Sequence, residues 1–319
     1  MDREFYVASQ DRDGGILRCA IDAQGCVRQR DFYPLDRVAW LASAGNRLYA
    51  LMREPFMMQS GIAEFETGAD GKLRRKGEIM PVHGTVAAHL LPWKGRLYSA
   101  NYLSGTVTLM PDRLIAFGGR GPDPRQECSH PHCTVPAPDG KHVCICDLGA
   151  DRIYVCTPEL ERVSELEFKA GSGPRHMLFS KDGRFAWCSL ELCSETAALE
   201  YSGGRLELRH RYSTLPDGFG GENSAAAIRM SADGKTLYVS NRGHGSVCVY
   251  NVDGAELSPA GWVRCAQGAS LREINIVGDW LLCADETGNM IYVFRAGDCV
   301  GAEPVSRFAV KRPWSILPG

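Results

Sequence analysis

The chain repeats a β-hairpin pattern along most of its length, and this repeat constrains the fold more than any single residue does. Three copies align on an Asp-Gly pair between two short apolar segments, and three weaker copies share the turn glycine. The turn glycines are Gly45, Gly95, Gly140, Gly183, Gly234 and Gly278, spaced by 43 to 51 residues. Asp-Gly readily adopts the positive φ values that a tight hairpin needs, so each copy predicts two antiparallel strands.

A period of roughly 40–50 residues built from short strands is typical of a β-propeller. Six hairpins are complete, and the segment Phe5–Ser9 resembles the second strand of a seventh. Its missing first strand is predicted at Pro313–Pro318, at the other end of the chain. We therefore expect an all-β protein, a single domain over residues 1–319. It should have seven four-stranded antiparallel blades in a ring closed by pairing of the N- and C-terminal strands.

Composition excludes several classes of function. The 36 basic and 38 acidic residues give a net charge of −2, with no basic run for a phosphate backbone, so nucleic acid is not an expected partner. No apolar segment reaches membrane-spanning length and the N-terminus lacks a signal sequence, which predicts a cytoplasmic protein without a membrane partner. Thirteen cysteines without framework spacing fit reduced thiols. The sequence leaves the oligomeric state open.

No metal or cofactor is expected. Cys144 and Cys146 lie two apart on one strand, but zinc sites usually show a wider spacing matched by a second Cys or His pair. These two thiols are better interpreted as small buried apolar groups. The sequence also lacks phosphate-binding, dinucleotide-binding and nucleophile-elbow motifs.

Function is expected where the first strand of each hairpin begins and the second ends, because these points meet at one edge of a blade, beside the central channel. Counting from the turns places eight arginine, glutamate and histidine side chains there. They are Arg37, His132, Arg175 and Arg272 at strand starts and Arg53, Glu191, Arg242 and Glu286 at strand ends. So many arginines indicate an anionic ligand, since the guanidinium fork grips carboxylate or phosphate with two hydrogen bonds. Alternatively, each arginine pairs with a neighbouring carboxylate.

Four segments carry a family resemblance: His130-Pro131-His132, Gly171–His176, Leu190-Glu191-Leu192 and Ser240–Gly243. They closely resemble signature segments of the seven-bladed lactonase family, which contains propeller-type 6-phosphogluconolactonases and fungal carboxymuconate cycloisomerases. The resemblance implies four active-site residues: His132, Arg175, Glu191 and Arg242. The chain departs from the family at Ala227, Arg229, Leu271-Arg272 and Asp285-Glu286, which concerns the substrate more than the fold.

The resemblance implies hydrolysis of a small anionic sugar lactone, with 6-phosphogluconolactone the first choice, by general acid and base catalysis. Glu191 is the first choice for the base, and His132 for the proton donor or second candidate base. Arg175 and Arg242 would hold the oxyanion and the phosphate. Further substrate contacts are expected from Arg37, Arg53, Arg272 and Glu286. Two alternatives stay open: a lactonizing cycloisomerase with the same residues, and a non-catalytic propeller that binds a small anion or a protein.

Overall fold

The computed structural model describes residues 2–319, which form seven four-stranded antiparallel sheets. This confirms the predicted seven-bladed β-propeller with four strands in each blade. The residues group into two compact units. The first unit contains the chain up to Leu114 with Glu273–Cys299 and Glu303–Gly319, and the second contains Ile115–Arg272 with Val300–Ala302. No helix in the described part of the chain is long and apolar enough to cross a membrane.

Four blades lie mainly in the first unit. Eleven of their sixteen strands come first in the chain: β1 (Arg3–Ser9), β2 (Gly15–Ile21), β3 (Val27–Pro34), β4 (Val38–Ala44), β5 (Arg47–Phe56), β6 (Gln59–Thr67), β7 (Leu73–Thr85), β8 (Ala87–Trp93), β9 (Arg96–Asn101), β10 (Thr106–Leu109) and β11 (Arg113–Ala116). Three blades form the second unit. Their strands are β12 (Pro131–Pro136), β13 (Val143–Asp147), β14 (Arg152–Cys156), β15 (Arg162–Glu167), β16 (Pro174–Phe179), β17 (Phe185–Leu190), β18 (Glu195–Ser202), β19 (Arg205–Ser213), β20 (Ser224–Met230), β21 (Thr236–Arg242), β22 (Ser246–Asp253) and β23 (Glu256–Arg264). The chain then returns to the first unit through β24 (Leu271–Val277), β25 (Trp280–Asp285), β26 (Met290–Arg295), a 3-10 turn (Ala296–Asp298), β27 (Ser306–Ala309) and β28 (Pro313–Pro318).

The two ends of the chain share one blade, as the split hairpin predicts. Strand β28 pairs antiparallel with β1, and Val7 lies opposite Ile316. Both side chains are buried in an apolar cluster that also contains Phe5 and Leu282. The edge of β1 is therefore covered, so it does not offer unpaired backbone groups.

The core of the second unit is formed by alternate side chains of its strands, which explains the alternation of apolar residues in the sequence. Cys144 and Cys146 point to the same side of β13 and pack against Val155 and Leu190. Both thiols are fully buried, and burial raises the pKa of Cys144. The two cysteines therefore serve as small apolar core groups.

The first strand of most blades carries a β-bulge at a similar place. In β12 the register skips His132, because Pro131 pairs with Asp147 and Cys133 with Cys146. In β16 it skips Arg175 in the same way. A bulge adds one residue to one strand and redirects its side chain, and bulges are frequent beside active sites.

Candidate active site

The centre of the candidate site is the side chain of Glu191, which is 1% exposed. Its Oε2 lies 2.8 Å from Nε of Arg175, and its Oε1 lies 2.8 Å from Nη2 of Arg242. Arg125 Nη2 contacts the same Oε1. One buried carboxylate thus joins three guanidinium groups within the second unit.

These charges decide the protonation of Glu191. Burial alone would raise its pKa, but the charges of Arg242, Arg175 and Arg125 outweigh burial and hold the pKa well below its usual range. Glu191 is therefore ionised at neutral pH. Because both carboxylate oxygens face arginines, its capacity to accept a proton is low.

His132 has the opposite electrostatic environment. Its imidazole is buried, and burial together with the charges of Arg175, Arg272 and Arg242 lowers its pKa well below the ordinary value, although Glu191 acts in the other direction. The ring is therefore neutral at pH 7. A neutral imidazole can accept a proton from water.

His176 joins this group. Strand alternation predicts that it points away from its neighbour Arg175, but Arg175 Nη1 lies 3.2 Å from Nδ1 of His176. The rings of His176 and His132 are also close, with centroids 5.1 Å apart. The bulge at Arg175 explains the difference, since an extra residue interrupts the alternation of side chains.

The Gly-Ser-Gly-Pro sequence before Arg175 forms a tight loop held by one carboxylate. Asp151 accepts hydrogen bonds from the backbone N–H groups of Gly171 (2.8 Å) and Gly173 (2.7 Å). Gly173 has φ 63°, and a Cβ there would lie 2.6 Å from Cγ of Leu192. Its carbonyl accepts a 2.7 Å hydrogen bond from the N–H of Glu191. The loop therefore needs glycine and fixes the backbone of Glu191.

A serine on the second strand of the same blade stabilises the bulge. Ser189 Oγ donates to the carbonyl of Ala226 (2.8 Å) and accepts from the N–H of His176 (3.3 Å). Ser240 repeats this arrangement one blade later by accepting from the N–H of Ala227 (3.0 Å). These hydroxyls satisfy backbone groups that the irregular ladder leaves unpaired.

Arg242 is positioned by the residue before it. Asn241 is fully buried, accepts hydrogen bonds from Thr214 Oγ1 (2.7 Å) and Asn223 Nδ2 (2.9 Å), and donates to the carbonyl of Thr214 (2.9 Å). The end of β21 is thus fixed, and Arg242 Nη2 also donates to the carbonyl of Ala225 (3.4 Å).

The hairpin pattern does not predict Arg125. This residue lies between β11 and β12, in a segment outside the repeat. The segment is ordered by Gln126, which is fully buried and donates to the carbonyl of Leu148 (2.8 Å). The N–H of Arg125 donates to Asp123 Oδ1 (2.8 Å). Composition gives no signal for Arg125 either, because the other arginine of the segment, Arg120, has no ion pair with any residue in the described range.

Three other sequence-predicted residues belong to the first unit. Arg37 is held by the carboxylates of Asp36 (3.1 Å) and Glu54 (2.7 Å). Glu286 pairs with Arg312 at 3.1 Å. Arg53 lies within β5 over the ring of Trp314, with Cζ 5.2 Å from the ring centroid. Only Arg272, among the predicted additional contacts, lies in the second unit, where its charge acts on His132.

Possible metal ligands lie on the segment before His132. Glu127, Cys128 and His130 place three such atoms within 4.8 Å of one another. Glu127 Oε2 lies 3.2 Å from Nε2 of His130, so the buried imidazole already has a carboxylate partner.

The fold is that of a seven-bladed propeller, and the buried His, Arg and Glu side chains lie in its second unit. The chain belongs to the lactonase, 7-bladed β-propeller family, whose model matches residues 4–302. A Staphylococcus epidermidis protein of unassigned function is 31% identical over 93% of each chain.

Solved structures have the same fold. A candidate 6-phosphogluconolactonase from Bacteroides uniformis superposes with a TM-score of 0.90 and 26% identity, over 100% of this chain and 99% of that one. The periplasmic gluconolactonase PpgL of Pseudomonas aeruginosa gives a TM-score of 0.90 at 24% identity, also over 100% and 99% of the two chains. The second likeness concerns the fold alone.

Proposed function

We propose that this protein hydrolyses a sugar lactone, 6-phosphogluconolactone, to the open-chain acid by general acid and base catalysis. The observation that carries the proposal is geometric: the buried His132 packs against His176 beside Arg175, and the buried Glu191 carboxylate contacts Arg175 and two further arginines. Membership of the lactonase family and the likeness to a candidate 6-phosphogluconolactonase support the same reaction.

The residues divide into two roles. His132 takes a proton from the attacking water, whose oxygen forms a bond to the lactone carbonyl carbon. The same proton then passes to the ring oxygen as the ester C–O bond breaks, so atoms and charge balance. Both carboxylate oxygens of Glu191 face guanidinium groups, which favours His132 over Glu191 as the base. Glu191 instead fixes the arginines in place before the substrate binds.

The exposure of the arginines separates their roles. Arg175 is 2% exposed and lies between Glu191 and His176, whereas Arg242 is 15% and Arg125 45% exposed. We assign Arg242 and Arg125 to the negative charge of the substrate, either the oxyanion that develops during attack or the phosphate. Arg175 holds Glu191 and His176.

The test is hydrolysis of freshly prepared 6-phosphogluconolactone and gluconolactone, followed by proton release and corrected for spontaneous opening. We expect the wild-type protein to accelerate hydrolysis, with the lower KM for the phosphorylated lactone. His132→Asn should lower kcat by about 100-fold or more. His210→Asn, at a half-exposed surface histidine, is the matched control and should keep wild-type activity. Correctly folded wild-type protein that accelerates neither lactone would refute the proposal.

A further inference from the structure

The first unit contains a polar cavity of about 510 Å³. Its lining combines four arginines, three carboxylates and one amide: Gln10, Asp11, Arg12, Asp13, Arg37, Arg53, Glu54 and Arg312. We call it the first-unit cavity. Ligand sites in proteins are commonly of this size, so the volume suits a small organic molecule.

Among the partly buried arginines of the first-unit cavity, Arg53 is the one whose guanidinium lacks a hydrogen-bond partner in the described part of the chain. Its nearest carboxylate oxygen, Oε1 of Glu54, lies 3.9 Å from Nε, which is too far for a hydrogen bond. Across residues 2–319, no acceptor receives a hydrogen bond from this guanidinium, and its Nε is buried. Burial lowers the pKa of Arg53, which reflects the cost of desolvating the charge. The guanidinium is nevertheless fixed in orientation by its position over Trp314.

The neighbouring arginines differ from Arg53. Arg37 contacts two carboxylates, at 3.1 Å and 2.7 Å, and Arg312 contacts Glu286 at 3.1 Å. Their charges are compensated within the protein. Arg12 lines the cavity as well but is exposed to solvent, so Arg53 is the partly buried cation whose hydrogen-bond donors are available to a ligand.

Gln10 supplies the second observation. It follows β1, its backbone N–H donates to the carbonyl of Arg312 (3.0 Å), and the residue is 3% exposed. Yet its side-chain Oε1 is buried without a hydrogen-bond partner in the described part of the chain. A buried amide oxygen without a donor is costly, and Gln10 lines the same cavity as Arg53.

The two groups require complementary chemistry. The guanidinium of Arg53 needs an acceptor, which a carboxylate supplies best through two parallel hydrogen bonds. The amide of Gln10 needs a donor for its oxygen, which a hydroxyl supplies. Asp11 and Asp13 also line the cavity, and their charges disfavour a dianion such as phosphate but accept hydrogen bonds from hydroxyls.

We propose that the first-unit cavity binds a sugar acid, with its carboxylate on Arg53 and its hydroxyl groups on Gln10 and the aspartates. This site consists entirely of first-unit residues and does not include His132, Glu191 or Arg242. The proposal does not require that the protein hydrolyse lactones.

The probe is gluconate, titrated calorimetrically into the full-length protein. We expect gluconate to bind at least tenfold more tightly than propionate, which lacks hydroxyls, than sorbitol, which lacks charge, and than glucose 6-phosphate, which carries a dianion. Arg53→Met should weaken gluconate binding by about tenfold or more. Arg47→Met is the matched control, because Arg47 lies on the same strand but is 59% exposed and outside the cavity.

Binding measurements on two further variants test the proposal independently. Arg242→Gln removes a residue of the second-unit site, and the Arg53-dependent binding should persist in it. Gln10→Leu should weaken the binding of gluconate more than the binding of propionate. If that variant unfolds, thermal unfolding replaces it: gluconate should raise the Tm of the wild-type protein and leave the Tm of Arg53→Met unchanged. Equal binding by wild type and folded Arg53→Met, or sorbitol and gluconate binding equally, would overturn the proposal. Absent hydrolysis with intact Arg53-dependent binding would refute the lactonase function alone.

Discussion

Nη2 of Arg242 and Oε1 of Glu191 lie 2.8 Å apart, although the two residues end the second strands of successive blades. The N–H of Ala225, on the first strand of the later blade, donates to the backbone carbonyl of Glu191 (3.2 Å). Side-chain and backbone contacts thus hold the two strand ends together, and the candidate site is part of the packing between these blades.

We predict that Glu191→Gln destabilises the protein. The change removes the negative charge that compensates Arg125, Arg175 and Arg242 in a buried position, and breaking such a group costs about 3–5 kcal/mol. The free energy of unfolding in urea measures the effect. Glu207→Gln, at an exposed carboxylate of the same blade, should change stability by less than about 0.5 kcal/mol. An unfolding free energy equal to that of wild type would show that Glu191 does not hold the arginines.

The pH profile should identify the base. His132 acts when neutral, so activity is lost as falling pH protonates it. Because burial and the charge of Arg175 lower its pKa, kcat/KM should stay constant at neutral pH and decline below the ordinary histidine value of about 6.5. An anionic substrate offsets the arginine charges, so the decline of kcat should lie at higher pH. The decline at low pH should disappear in His132→Asn. A decline of kcat/KM centred above pH 6.5, or one that persists in the variant, would contradict the assignment.

Arg125→Ala should lower kcat/KM by about tenfold or more with little loss of stability, since its side chain is 45% exposed yet contacts Glu191. Steady-state kinetics on the phosphorylated lactone measure the effect. Arg120→Ala, in the same segment, controls for general loss of positive charge and should behave like wild type. Equal effects of the two changes would remove Arg125 from the site.

Ser189→Ala tests the bulge in β16. The change removes the hydrogen bond to Ala226 and leaves the N–H of His176 without its acceptor, at a cost of about 1–3 kcal/mol. Because the bulge positions Arg175, kcat should fall as well. Ser202→Ala, at an exposed end of the same blade, should leave both quantities unchanged. A stable, fully active Ser189→Ala protein would show that the bulge needs no such support.

The Asp-Gly turns predict the blades because a turn is local: few residues determine its geometry. Glu191 and Arg242 were predictable for the same reason, since the second strand keeps a nearly constant length after its turn. Arg37 shows where counting fails. The hairpin turn of its blade has only two residues, so counting back from the turn glycine goes too far. The bulge position that His132 occupies in β12 is held by Ala39 in β4. Arg37 lies outside β4, with φ 47°.

The remaining parts of the site depend on tertiary structure. Alternation along β16 gives no sign that His176 contacts Arg175, because a bulge depends on the partner strand. Arg125 belongs to no repeat, and its place beside Glu191 follows from the contact of Gln126 with Leu148. The protonation of His132 likewise depends on charges more than 40 residues away in sequence, which become neighbours only in the folded chain.

The pairing of β1 with β28 also bears on how the protein is made. Ile316, the partner of Val7, is made 309 residues later. Until then β1 has an unpaired edge beside buried apolar side chains, and closing such a long loop is slow compared with forming a hairpin. The blade that contains β1 is therefore completed only after the strands of the other six blades have been made, and β1 keeps an open edge during that time.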